Sequence, residues 1–416
     1  MTKRITKSSE ASRVVYSELE GYARRKVQEF IQAVLEEEVT EFLGRPKSKR
    51  SAPAVEGVRG YRNGYGKPRH LALSSGTIRL RRPRVRDCEE KFESQVLPLF
   101  KRRSAEVGQL LPELYLHGLA KGDFELALRG LLGEGAPLSA SSIGRLKARW
   151  QVEYEAWKQQ DLSELQLVYA WADGIYVKAG LEKEKAALLV LIGATVEGQK
   201  VLLACESGQR ESKLSWAALL RDLKGRGLQV PRLTIADGHL GIWSALSELL
   251  PESQQQRCWN HKVLNVLDTL PKKEQPMAKQ LLRGMAASPT QAECQKQRDA
   301  FVRRYQNRYP KATETLLRDW ERMITFYAFP KEHWPHLRTS NVVESPFAAI
   351  RLRTDAAKRY KCVSNATAMI WKLLRVAEKS FRRLKGHDLL PEVFQGKPFV
   401  DGFPLKAKNK FEKAAA

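Results

Sequence analysis

The sequence predicts an α/β fold: a core built on a mixed sheet, an all-α insertion into that core and, ahead of it, a mainly helical region with a small β element. Three observations predict this. Between residues 167 and 250, apolar runs and turn signals alternate in the order strand, strand, strand, helix, strand, helix. Residues 258–335 carry apolar side chains at helical spacing with Gln, Lys, Arg and Glu between them. Upstream, two short apolar runs, Leu71–Leu73 and Thr77–Leu80, flank Ser74, Ser75 and Gly76 between longer helical stretches.

The chain has 416 residues, with 72 Lys and Arg against 47 Asp and Glu, a formal net charge of +25. That length holds several domains, and the surplus predicts salt-sensitive association with a polyanion, nucleic acid first. The five cysteines (Cys88, Cys205, Cys258, Cys294, Cys362) lack paired spacing, which fits a reducing compartment. The N-terminus has no apolar region, and no run approaches the about 18 apolar residues that a membrane span needs. The expectation is a cytoplasmic protein with no membrane partner.

Taken in order, residues 13–43 read as one amphipathic helix. Tyr16, Leu19, Ala23, Val27, Phe30, Ile31, Val34 and Leu35 recur at helical spacing, and Gly44 and Pro46 stop it. The acidic run Glu36, Glu37, Glu38 makes this segment, 1–44, a packing or dimerisation element more than a groove binder. Residues 45–104 read as a basic loop and small β element in contact with DNA. Tyr61, Arg62, Asn63 and Tyr65 offer rings to stack and polar groups for phosphates. Arg79, Arg81, Arg82, Arg84 and Arg86 would repel one another unless an anion lies alongside. Residues 105–160 read as helical. Leu110–Leu119 and Phe124–Leu132 precede a third helix, Ser141–Trp150, that carries Arg145, Lys147 and Arg149, an order fitting a helix-turn-helix or an ordinary helical bundle.

The core, 161–257, begins with a strand over Leu167–Ala172 that ends at Asp173. A hairpin follows, Ala186–Thr195 and Lys200–Glu206, then a helix over Lys213–Leu223. The strand Pro231–Ala236 ends at Asp237, and a helix covers Leu240–Leu250. A three-stranded meander extended by a parallel strand through a crossover helix is how a ribonuclease H-like core begins. In that arrangement the first and fourth strands are adjacent, so Asp173 and Asp237 become neighbours. A carboxylate at the end of a buried strand is unfavourable without a cation or hydrogen bonds. Two of them, with Glu344 further on, make a divalent-metal set, and in so basic a chain the matching substrate is a nucleic-acid phosphate. Taken singly, Asp-Gly after a strand is also ordinary turn chemistry, and Asn341 to Glu344 is also a capping box.

Residues 258–335 form the helical insertion, with Met277, Leu281, Leu282 and Met285 inward and many aromatic residues. Residues 336–386 complete the core with Glu344 and basic helices. Eleven Lys or Arg stand there between Arg351 and Lys385, and Ile370, Leu373, Leu374 and Ala377 make an apolar stripe. Residues 387–416 read as a flexible tail.

Four blocks carry a resemblance. Asp173-Gly-Ile-Tyr-Val-Lys178, Asp237-Gly with Arg257-Cys-Trp-Asn-His-Lys262 after it, Arg338-Thr-Ser-Asn-Val-Val-Glu344, and upstream Tyr61-Arg-Asn-Gly-Tyr65 are similar to those of Mutator-like transposases of bacterial insertion sequences. The likeness runs over about residues 15–385. It implies a bacterial DDE transposase with a ribonuclease H-like catalytic core and a preceding DNA-binding region. Asp173, Asp237 and Glu344 would be both the catalytic triad and the ligands of Mg²⁺ or Mn²⁺, two ions per active site. The reaction would be cleavage at terminal inverted repeats and strand transfer into target DNA, within a homodimer. Lys178, Arg338, Arg351 and Arg353 would join the DNA contacts. His261 and Cys258 would lie beside the site, with Trp259 against displaced DNA. Zinc on Cys258 and His261, completed by His333 and His336, is the disfavoured alternative, since the spacing is long. Pro346, directly after Ser345, departs from the pattern and bears on where Glu344 points. A structure-selective nuclease on the same fold, or a DNA-binding protein without catalysis, is the alternative activity.

Overall fold

A computed structural model of the chain describes residues 16–49, 60–88, 90–116, 118–119, 132, 140–180, 185–208 and 210–405. Two units divide between Leu146 and Lys147.

In the first unit a 3-10 turn, Tyr16–Glu18, leads into α1 (Leu19–Leu43), which ends at Gly44 in the left-handed region. Its buried face differs from the predicted one. Tyr16, Leu19 and Phe30 are exposed, while Val27, Ile31 and Leu35 pack with Leu71, Ile78, Leu80 and Leu97. Two polar residues decide the matter. Gln28 accepts from the Arg79 amide, and Gln32 accepts from the Arg81 amide and donates to the Arg81 carbonyl. These bonds occupy the open edge of the strand they meet and turn that side of α1 toward it.

That strand is one of four: β1 (Tyr61–Tyr65), β2 (Arg69–Leu73), β3 (Gly76–Leu80) and β4 (Pro83–Arg86), paired antiparallel as β2 with β3 and β1 with β4. The segment read as a basic loop is therefore strand over Tyr61–Tyr65. Its pattern is polar, so only its partner β4 makes it a strand. The acidic run is also used. Glu36 pairs with Arg62 at 2.9 Å, and Glu38 accepts from the Ser94 hydroxyl and the Gln95 and Val96 amides.

α2 spans Ala105–Leu116, and α3 runs from Ala140 to Lys158. The predicted middle helix, 124–132, lies outside the described residues except for Leu132. α3 continues past Trp150 because Trp150, Tyr154 and Trp157 are buried at helical spacing, the last two against the Trp371 ring.

The second unit is built on a five-stranded sheet of order β7-β6-β5-β8-β9, from β5 (Leu167–Val177), β6 (Ala186–Thr195), β7 (Lys200–Gly208), β8 (Leu233–Ala236) and β9 (Gln254–Arg257). β5–β6 and β6–β7 are antiparallel, and β5–β8 and β8–β9 parallel. α4 (Lys213–Gly225) crosses from β7 to β8, and α5 (Leu240–Leu249) from β8 to β9. Both pack on one face through Trp216, Leu220, Ile242 and Leu246, over Ala170 and Ala172. Tyr169 and Trp171 point to the other face, where they bond His333 Nδ1 and the His336 carbonyl. Both faces are covered, so β5 reads as a continuous apolar run.

Two strands differ from expectation. β5 continues past Asp173 to Val177, since β6 pairs with it throughout. β9 carries no apolar signal. Its buried Gln256 donates to the Met323 carbonyl and accepts from the Phe326 amide, so side-chain bonds replace apolar packing.

The insertion comprises α6 (Trp259–Leu267), α7 (Gln275–Ala286), α8 (Gln291–Tyr305), α9 (Pro310–Leu317), α10 (Trp320–Ile324) and α11 (Trp334–Leu337). Leu282 and Met285 are buried in it, but Met277 is exposed. α12 (Asn341–Glu344), α13 (Phe347–Ala357) and α14 (Val363–Glu378) follow, and the stripe Ile370, Leu373 and Leu374 is buried. The predicted tail, 387–416, is folded over its described part, and residues 406–416 lie outside the described residues. α15 (Leu390–Phe394) and the hairpin of β10 (Phe399–Val400) and β11 (Phe403–Pro404) bury Leu390, Val393 and Phe399. Among the described residues no helix is long and apolar enough to cross a membrane.

Candidate active site

The parallel pairing of β5 with β8 sets Ala172 opposite Ala236. Asp173 and Asp237 are the next residues on each strand, so the register alone makes them neighbours. β8 stops at Ala236 while β5 continues, which frees the flank of Asp173. The turn after β8 needs glycine. Gly238 has φ +101°, and a Cβ there would stand 2.3 Å from Arg257 Nε. Asp237 Oδ1 accepts from the His239 amide at 2.9 Å, and His239 caps α5. Turn chemistry and convergence on Asp173 thus coexist at Asp237.

Asp173 lies on the strand face of Tyr169 and Trp171, and only 9% of its surface is exposed. Burial raises its pKa to about 7, with the charges of Asp237 and Glu344 adding to the rise; the Gly174 amide and His261 oppose it. A third carboxylate, Glu211, comes in over Gly174 from the β7–α4 loop. Ligand oxygens of Asp173, Glu211 and Asp237 all lie within 4.8 Å of one another. Burial raises the Glu211 pKa too, and Asp237 adds to it. No motif marked Glu211. The signal available was topological: Gly208 at the end of β7 is opposite Ala187, which is opposite Tyr176, so this loop begins on the edge where Asp173 lies.

Glu344 closes the single turn α12. It accepts from the Ser340 hydroxyl, not from the Asn341 amide that a capping box would use, and lies 3.8 Å from His261 Nδ1. Pro346 neither breaks this turn nor opens the next helix at its first position. Ser345 closes α12 by donating to the Asn341 carbonyl, and Pro346 caps α13. Glu344 groups with Cys258 and His261, whose ligand atoms lie within 4.8 Å of one another and of a Glu344 oxygen. Hydrogen bonding to Cys258 first, then the charges of Cys258, Glu344 and Asp173, raises the His261 imidazole to about 9 against the opposing pull of burial. The buried Cys258 caps α6, and its sulfur accepts from the Ser340 amide. His333 and His336 do not join this pair. His333 is bonded to Tyr169 and the Gly386 carbonyl, and His336 Nε2 accepts from the Lys385 amide.

Several predicted DNA contacts are structural instead. Trp259 is 2% exposed; its indole donates to the Met323 carbonyl and its ring meets Trp320 edge-on, fastening α6 to α10 within the insertion. Arg338 donates to the Ala286 and Trp334 carbonyls. Arg353 is buried, turned inward on α13, while Arg351 is exposed. Arg62 is held by Glu36 and Thr40.

The remaining basic residues face solvent or a cavity. Tyr61, Tyr65, Arg79, Arg81, Arg84, Arg86, Arg145, Arg149 and Lys178 are exposed, with Lys147 half-buried. Within the first unit, Asn63, Arg82, Arg84 and Arg86 line an open cavity of ≈ 920 Å³ with Lys67 and Arg69. Strand alternation puts Ile78 and Leu80 inward and Arg79 and Arg81 outward.

The donor set suits a hard divalent cation: three converging carboxylates, two of them at least nine-tenths buried.

The family model described as "Transposase, Mutator family" matches residues 1–383. The transposase for insertion sequence element IS6120 of Mycolicibacterium smegmatis is 43% identical over 296 residues, covering 71% of this chain and 92% of that one. The transposase for IST2 of Acidithiobacillus ferrooxidans is 41% identical over 280 residues, covering 67% and 95%. The transposase for ISRM5 of Rhizobium meliloti is 31% identical over 353 residues, covering 84% and 85%.

Proposed function

The chain belongs to the Mutator family of transposases, and on that premise we propose that it is an insertion-sequence transposase that cuts and joins DNA through a divalent-metal site on a ribonuclease H-like core. The observation that carries this reading is the pairing of β5 with β8, which makes neighbours of two aspartates that are 64 positions apart in the chain.

Asp173 and Asp237 would hold Mg²⁺ or Mn²⁺, two ions per site, with Glu344 completing the set. Bound there, the ions supply an activated oxygen nucleophile and stabilise the charge that develops on the leaving oxygen. Burial of Asp173 keeps one side of the site away from bulk water. His261, raised to about 9, keeps an imidazolium N–H beside Glu344 and Asp173 and can donate to a phosphate oxygen. Arg79, Arg81, Arg84 and Arg86, with the cavity beside them, are the surface we assign to the backbone of terminal-repeat DNA. Two DNA ends need two active sites, which makes a homodimer the working assembly, and the bacterial cytoplasm is where it would act.

The test uses end-labelled DNA from the element's flanks, with wild type and Asp237→Asn side by side in Mg²⁺ and in Mn²⁺. Metal-dependent joining that disappears in Asp237→Asn supports the proposal. Cleavage without joining replaces it with a nuclease. Binding with no chemistry from either protein replaces it with a DNA-binding protein.

A further inference from the structure

Resting on that reading of the site, we infer that Glu211 is a third protein carboxylate holding the divalent cation, together with Asp173 and Asp237. Three independent features of the chain converge on it. Oxygens of the three residues lie within 4.8 Å of one another, and Glu211 is only 5% exposed. Burying like charges side by side is strongly unfavourable unless a cation lies among them.

The second feature is an open acceptor. Asp173 is more than nine-tenths buried, and its Oδ1 accepts from the Gly174 amide at 2.8 Å. Among the described residues no group donates to its Oδ2. Arg257 Nη1 is bonded to Asp319 at 2.5 Å, and His261, whose charge also acts on Asp173, lies 3.8 Å from Glu344. The neutral Tyr176 hydroxyl is a nearby group that favours the Glu211 carboxylate.

The third is a backbone cut to fit. Gly174 faces away from Asp173 on the other side of β5, and a Cβ there would stand 2.3 Å from Glu211 Oε1 and 2.6 Å from its Cδ. A Cβ on Gly241, in the first turn of α5, would stand 2.4 Å from the Glu211 carbonyl oxygen. Two glycines from separate elements thus leave room for Glu211 to reach under the sheet edge toward Asp173.

Glu344 lies outside this trio and groups instead with Cys258 and His261. The experiment is Mn²⁺ titration of the full chain, followed by calorimetry and by the Mn²⁺ resonance signal, with melting temperature measured without metal. Glu211→Gln is expected to weaken Mn²⁺ binding about tenfold or more, with an unchanged or higher metal-free melting temperature, because a buried like charge has gone. Wild-type Mn²⁺ affinity in Glu211→Gln, while Asp237→Asn loses it, overturns the role of Glu211 and leaves the metal site standing. Unchanged binding in Asp237→Asn, or none in wild type, overturns both. A Glu211→Gln protein that melts well below wild type without metal overturns the assignment as well, since Glu211 would then serve packing. Glu211→Asp, a shortened carboxylate, is expected to bind with intermediate affinity.

Discussion

Gly174→Ala places a single methyl group where the structure has space only for Glu211. The new Cβ would start 2.3 Å from Oε1, and ordinary contact begins at 3.4 Å, so the carboxylate must retreat by about 1 Å. The backbone has no reason to yield first, since the obstructing atoms are the far end of a side chain and Gly174 is not at positive φ. Metal–oxygen distances tolerate about 0.2 Å, so a retreat of that size takes Glu211 out of the coordination sphere. Losing a carboxylate's help there is expected to weaken Mn²⁺ binding about tenfold, or about 1.4 kcal/mol. The metal-free fold should change by less than about 1 kcal/mol, because alanine also narrows the unfolded ensemble. Calorimetric Mn²⁺ titration and urea unfolding with and without metal measure the two effects separately. Wild-type Mn²⁺ affinity in Gly174→Ala, with the fold intact, would refute the reasoning.

Three further outcomes follow from other parts of the molecule. Asp319→Asn leaves Arg257, 8% exposed, as a buried charge without its counter-ion, and should cost about 3–5 kcal/mol in urea unfolding; a loss below 1 kcal/mol contradicts the ion pair. Burial lowers the pKa of His333, and burial followed by the charge of Lys200 lowers that of His336, to about 4. The unfolded chain therefore takes up these protons first, so their contribution is intact above pH 6.5 and is lost as pH falls from 6.5 toward 4. His336→Asn should remove part of that pH dependence relative to wild type, and a parallel profile for the two proteins would count against it. In DNA binding followed by anisotropy, Arg84→Ala and Arg86→Ala should each reduce the slope of log K against log salt by about 1. Arg353→Ala, which removes a buried side chain, should leave that slope alone and lower stability instead.

The sequence by itself determined the elements whose signal is local. β6 spans Ala186–Thr195 as predicted, and α4 and α5 match within two residues, because apolar periodicity and turn signals are read within one turn or strand. It also determined that Asp173 and Asp237 are neighbours, since the order of elements leaves few topologies. The tertiary structure decided whatever rests on a partner distant in sequence. β9 is a strand because β8 pairs with it, and β1 because β4 does. α1 turns its face according to where Gln28 and Gln32 meet β3. Arg62 by its residue type, and Arg338, Arg353 and Trp259 by the family resemblance, read as DNA contacts; Glu36, Ala286 and Met323 stand opposite three of them, and α13 turns Arg353 inward. Glu211 was invisible for the same reason. A lone acid in a loop carries no period and no motif, and only the sheet register and two glycines bring it to within 4.8 Å of the aspartates.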